Sequence, residues 1–341
     1  MEKKLFMGQP LITGYPIHAN ISSILVQHPS YNNWIFTNHM QLRFDIYNNE
    51  FETDYFLEFY QPLMREYHPL LNIHSISKLM LSNLNINICD FFMQILDSNN
   101  YIYTLIDKQH ISAYKTRKSS PHDLFVYGYN KQRNIFYVAD YFQNFHMLST
   151  ASFEEIEKAV DLKNDYSTDS WDNIFGIQLI GINQWKKYDF NLEYFIQTLY
   201  DYLNSTNTSH KYSFLEGVPK ERPELHGSLK PTFGIKIYNE LCNMAGANFK
   251  FLRALHLLFE HKRLMTRRIE FLGGLNLIDD ELYIKLFKEV EEKAIVIRNY
   301  MIKQIIKGDS SDTSKVKSMI MDLESIEYSY LEKLAKSLTG S

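Results

Sequence analysis

His122 and Asp140 are the two residues of this chain whose types and spacing best fit shared chemistry. They bracket the segment Ser120-Pro-His-Asp-Leu-Phe-Val-Tyr-Gly-Tyr-Asn-Lys-Gln-Arg-Asn-Ile-Phe-Tyr-Val-Ala-Asp140. Leu124 to Tyr129 and Ile135 to Tyr141 are β-branched and aromatic runs, and the polar stretch Asn130 to Asn134 between them is a turn signal. With Leu124 opposite Asp140, His122 falls on the same face one diagonal step away, roughly 7–8 Å between Cβ atoms. A histidine oriented by an aspartate is two thirds of a nucleophilic triad. A slip of one residue would part them. Asp123 is the competing carboxylate, with its side chain expected on the other face. No nucleophile stands beside the pair in the sequence. Cys89 and Cys242 are the two cysteines, and both sit in apolar helical contexts that read as core.

Positioning these residues requires a sheet, and the first 160 residues read as mixed α/β. Short helices are expected at Asn20–His28 and Ser75–Ser82, a firmer one at Ile88–Leu96, and a strand at Tyr101–Asp107. The hairpin follows, and Ser152-Phe-Glu-Glu155 is a capping-box signature opening a helix to about Val160. Asn33–Tyr47 and Phe51–Tyr60 are aromatic-rich and fit neither period. Ile174–Ile182 reads as a strand. Helical spacing then takes over: Asn191–Leu203, Thr232–Ala245, Phe249–Leu272, Asp279–Lys307 and Lys315–Leu338, with a long loop over Asn204–Pro231. Strands first and helices afterwards predict an α+β fold, divided at 1–190 and 191–341.

Composition narrows the function classes. The 36 basic and 40 acidic residues give a net charge of −4, which offers nothing to nucleic acid. The cysteines lie in no metal-ligand pattern, so no metal site is expected. The start Met1-Glu-Lys-Lys-Leu-Phe lacks the apolar core of a signal peptide, and no apolar run approaches about 18 residues. The expectation is a cytoplasmic protein with no membrane partner.

The strand Tyr101–Asp107, the His122-x-x-x-x-Tyr-Gly-Tyr hairpin and Phe136-Tyr-Val-Ala-Asp140 resemble the N-terminal domain of butirosin biosynthesis protein H and its relatives. Leu255-His-Leu-Leu-Phe-Glu-His-Lys262 and Arg267-Arg-Ile-Glu-Phe-Leu272 resemble the C-terminal half of such proteins. The resemblance spans most of the chain. It implies a papain-like domain at 1–190, a helical domain at 191–341, and acyl transfer. A cysteine at the start of the first helix takes an acyl group from a carrier protein's phosphopantetheine thioester, and an amine acceptor captures it as an amide. Polythioamide-pathway amide synthases look similar, and the implied setting is antibiotic, nonribosomal-peptide-type biosynthesis with no cofactor. His122 would be the base and Asp140 its orienter. In Pro16-Ile-His-Ala-Asn-Ile-Ser-Ser, the nucleophile position falls on Ala19. A non-catalytic protein, a Cys-to-Ala form and a displaced register all fit that residue. A pseudo-peptidase that binds a carrier protein or peptide intermediate is the alternative function, and a peptidase or amidase the third.

The remaining candidates follow from the same resemblance. Ala19 N–H would help an oxyanion hole. Asn20 is expected to cap the helix or bind the oxyanion, and His18 to line the cleft and contact a substrate carbonyl or to serve as a capping or surface residue. Glu260-His261-Lys262 reads first as a solvated helix face, and the resemblance suggests instead a packing role against the first domain or a wall of the substrate cleft. Lys262, Arg263, Arg267 and Arg268 read as a salt-bridged surface that could also meet a phosphate.

Overall fold

Apolar and aromatic runs at Tyr101–Asp107, Pro121–Asn130 and Ile135–Phe142, buried over most of their length, build the middle of an antiparallel sheet. The computed structural model describes residues 1–48, 53–60, 68–142, 145–160, 176–212, 231–308 and 313–340. The chain is mixed α/β with a helical C-terminal region. It forms two compact units: residues 1–31 with 65–188, and residues 32–64 with 189–341. The second unit thus takes a segment, 32–64, that the division at 190/191 left with the first.

In the first unit the strands are β1 (Glu2–Lys4), β4 (Leu71–Ile76), β5 (Tyr101–Asp107), β6 (Pro121–Asn130), β7 (Ile135–Phe142), β8 (Phe145–Ser152) and β9 (Ile177–Ile182). Their order is β4-β9-β5-β6-β7-β8, with β1 paired to the far end of β6. Phe125 pairs with Ala139 and Val126 with Val138, the register expected for the hairpin. A bulge between Val126 and Gly128 follows. A Cβ on Gly128 would stand 2.5 Å from Lys3 O, so a side chain there would push β1 off the sheet.

Helices cover both faces of this sheet. On one, α4 (Ile88–Asp97) and α5 (Phe153–Ala159) pack Phe92, Leu96 and Ile156 onto Ile102, Leu124, Val126, Phe136, Val138 and Phe142. Each large side chain buried this way contributes about 1.5–3 kcal/mol. The expected capping box closes the start of α5: Ser152 Oγ accepts from Glu155 N at 3.1 Å, and Glu155 Oε2 accepts from Ser152 N at 2.6 Å. Helix α1 (Pro16–Leu25) meets the other face. It starts four residues earlier than expected, with Pro16 in its first turn, where the missing N–H costs nothing. Helix α3 (Lys78–Asn83) follows β4, which takes the start of the helix expected at Ser75.

In the second unit, α2 (Tyr31–Asn38, its first residue in the first unit) precedes β2 (Leu42–Asn48) and β3 (Thr53–Phe59), which pair with β10 (Thr232–Phe233). β10 replaces the start of the helix expected from Thr232. The helices are α6 (Leu192–Leu203), α7 (Ile237–Asn243), α8 (Phe249–Gly274), α9 (Asp280–Lys307) and α10 (Ser314–Thr339). The part of the expected strand at residues 174–175 and most of the loop at 213–230 lie outside the described residues.

Candidate active site

The hairpin brings His122 and Asp140 together. His122 Nδ1 lies 2.9 Å from Asp140 Oδ2 and 3.1 Å from Asp123 O. Both neighbours are acceptors, so Nδ1 carries the hydrogen and Nε2 is left as the basic nitrogen. The Asp140 side chain is fully buried, whereas that of His122 is 28% exposed. Burial pulls the His122 pKa down, but the hydrogen bond and charge of Asp140 outweigh it and hold the imidazole above its usual value.

A residue that the sequence did not mark completes this group. Tyr114, at the end of a short 3-10 turn over Ser112–Tyr114, donates its hydroxyl to Asp140 Oδ2. The same hydroxyl lies 3.1 Å from Asp123 O, and the ring packs on His122 and Phe142 at 5.3 and 4.8 Å between centroids. Burial, then the Asp140 charge, drive the phenol far above its usual pKa, so it stays a neutral donor. Ser112 N donates to Glu155 Oε1 at 2.8 Å, which ties the turn to α5. The turn that carries Tyr114 has no periodicity, and its partner is 26 residues away, so no local signal could have found it.

No family model matches this sequence, and no curated protein matches it.

Helix α1 does not supply the third member of a triad. His122 and Asp140 share their face with Leu124, Val138 and Phe142, the side covered by α4 and α5. Asn20 of α1 meets His146, which pairs with Tyr141 and so faces the opposite side. Ala19 is fully buried, and its N–H donates to Tyr15 O at 2.9 Å inside the helix, so it is no oxyanion donor. The N-cap is Tyr15, not Asn20. Asn20 sits within the helix, 1% exposed, and accepts from His146 Nε2 at 2.9 Å. Burial lowers the His146 pKa, consistent with a neutral ring. His18 is also buried in α1, with its ring 6.0 Å from that of Tyr15. His146 was missed because β8 was not read as a strand.

Neither cysteine is poised as a nucleophile. Cys89 is buried and donates to Phe153 O at 3.4 Å, and burial together with the nearby Glu157 pushes its thiol up to about 12. Cys242 is half-buried, and burial raises its thiol too. Among the described residues, no group of three or more His, Cys, Asp or Glu side chains is arranged to hold a metal. None of their helices is long and apolar enough to cross a membrane.

In the second unit, Glu260, His261, Lys262 and Arg268 are all fully buried, which corrects the solvated-face reading. Every residue from Leu257 to Lys262, more than one turn of α8, is buried, so the consecutive polar residues Glu260, His261 and Lys262 all meet neighbours rather than solvent. Lys262 Nζ donates to Glu327 Oε1 at 2.6 Å, Tyr202 OH at 3.0 Å and His261 Nδ1 at 3.0 Å. Glu327 Oε2 accepts from Tyr238 OH at 2.6 Å and Tyr202 OH at 3.2 Å. His261 Nε2 donates to Met40 O at 2.8 Å, which fixes its neutral tautomer, and burial followed by the Lys262 charge lowers its pKa. Arg268 donates to Phe36 O at 2.8 Å and His39 O at 2.7 Å, holding the carbonyl end of α2. Lys262 and Arg268 therefore cannot meet a phosphate at the surface. Arg267 is exposed, and Arg263 is about one third exposed, 3.5 Å from Glu260.

Proposed function

We propose that the first unit is an acyl-transfer centre in which His122 acts directly as general base on an amine acceptor, with Asp140 as its orienter. The resemblance to butirosin biosynthesis protein H and amide synthases supplies the substrate class: an acyl group on the phosphopantetheine thioester of an acyl or peptidyl carrier protein. The papain-like identity of the unit belongs to the same proposal. The observation that carries the reading is the His122–Asp140 contact of 2.9 Å, with Nδ1–H pinned between two acceptors and the ring partly exposed.

This chemistry needs no protein nucleophile. A thioester is already activated, so the amine nitrogen attacks the carbonyl carbon, the C–N bond forms and the C–S bond breaks. His122 Nε2 takes the proton from the amine and returns it to the leaving thiolate. General-base assistance of this kind contributes about 10²–10⁴-fold.

A second reading is favoured by one observation. The first turn of α1, Pro16-Ile-His-Ala19, holds neither thiol nor hydroxyl, the place where a thiolate would gain most from the helix dipole. On that reading the chain is a pseudo-peptidase that binds a carrier protein or peptide intermediate without turning it over. Incubation with a panel of acyl-pantetheine thioesters and primary amines, with amide followed by mass spectrometry, separates the two. The base reading expects amide from the native protein and at least about a hundredfold less from His122→Gln. Equal yields from both would refute it.

A further inference from the structure

We infer that Tyr114 is a positioning residue that sets the basicity of His122 by sharing Asp140 Oδ2 with it. The inference rests on the reading of His122 as the base of the first unit. The two donors see the same two acceptors. His122 Nδ1 is 2.9 Å from Asp140 Oδ2 and 3.1 Å from Asp123 O. The Tyr114 hydroxyl contacts that same carboxylate oxygen and lies 3.1 Å from that same carbonyl. Asp140 Oδ1 is buried with no hydrogen-bond partner among the described residues, so the charge of this carboxylate is answered almost wholly at Oδ2.

One hydroxyl hydrogen serves one acceptor at a time. While it points at Oδ2, it draws off part of the charge that would otherwise stabilise the imidazolium. Without that donor, the full carboxylate would face His122 and the ring would be a stronger base. The phenol stays protonated, since its own titration lies far above neutrality. Tyr114 therefore sets the strength of the pair, and the turn from Ser112 to Tyr114, tied to Glu155, is what holds it in reach.

The test is the titration of His122 by NMR in the full chain, with assignment by His122→Gln. Tyr114→Phe removes the competing donor and is expected to raise the His122 pKa by about one unit, a tenfold change in protonation equilibrium. Difluorotyrosine at position 114, a stronger donor of the same shape, is expected to lower it, and covers the case in which Tyr114→Phe fails to fold. An unchanged His122 pKa, or a shift against the expected direction, in a folded variant overturns the inference. Amide formation is measured on the same samples. The expected shifts, up in Tyr114→Phe and down with difluorotyrosine, with no amide from any variant would uphold the role of Tyr114 and remove the acyl-transfer reading instead.

Discussion

Replacing Lys262 by Met isolates the energetics of the buried network in the second unit. Methionine fills a similar volume and removes three donated hydrogen bonds, to Glu327, Tyr202 and His261. Both Lys262 and Glu327 are fully buried, so the substitution leaves a carboxylate in the interior with the Tyr202 and Tyr238 hydroxyls and, at 4.0 Å, the His261 ring, but no Lys262 counter-charge. Stranding one member of a buried pair costs about 3–5 kcal/mol. The double variant Lys262→Met/Glu327→Gln removes the stranded charge and keeps an amide oxygen for the tyrosines. It should regain at least about 2 kcal/mol, because a neutral network costs far less to bury than a lone ion. Hydrogen exchange of the α8 and α10 amides during urea titration reads this in the second unit alone. A loss below about 1 kcal/mol in the single variant, or a double variant no more stable than the single, would refute the account of Lys262 as a buried counter-charge.

Other expectations follow from particular contacts. Ser152→Ala removes the cap of α5 and should cost about 1 kcal/mol by urea unfolding. Cys89 should resist thiol-specific alkylation at neutral pH until denaturant opens the core, since burial holds its thiol at about 12. The His122 pKa is raised in the fold, so the stability it contributes is complete below the unfolded value of about 6.5 and is lost as pH rises through the folded value. In His122→Gln, that pH-dependent increment on the acid side should vanish from the unfolding curve.

The hairpin was legible because its signals are local. Two β-branched and aromatic runs, a polar turn and a capping box each declare themselves within about ten residues, and the register that joins His122 to Asp140 follows from the pleat. The face of the sheet that α1 covers was not legible. Nothing in Pro16-Ile-His-Ala says which side of a strand about 100 residues later the helix will meet, so Ala19 was matched to a pattern while the fold turned it away from His122. Tyr114 and His146 escaped for a related reason: each acts through a partner at long range, 26 and 126 residues distant. The polar run at Glu260 to Lys262 misled because periodicity assumes one solvated face, and that stretch of α8 has none. Its partners, Glu327 and Tyr202, come from other helices that meet only in the folded unit.

The claim that His122 and Asp140 form a base without a nucleophile on α1 is tested most directly by making that nucleophile. Ala19→Cys, with and without His122→Gln, would be incubated with an acyl-pantetheine thioester and examined by intact-protein mass spectrometry. The fold places the introduced thiol inside α1, on the face of the sheet opposite His122, so no acyl adduct that depends on His122 should form. An acyl adduct on Ala19→Cys that disappears when His122 is also replaced would contradict the account and restore a Cys-His-Asp triad.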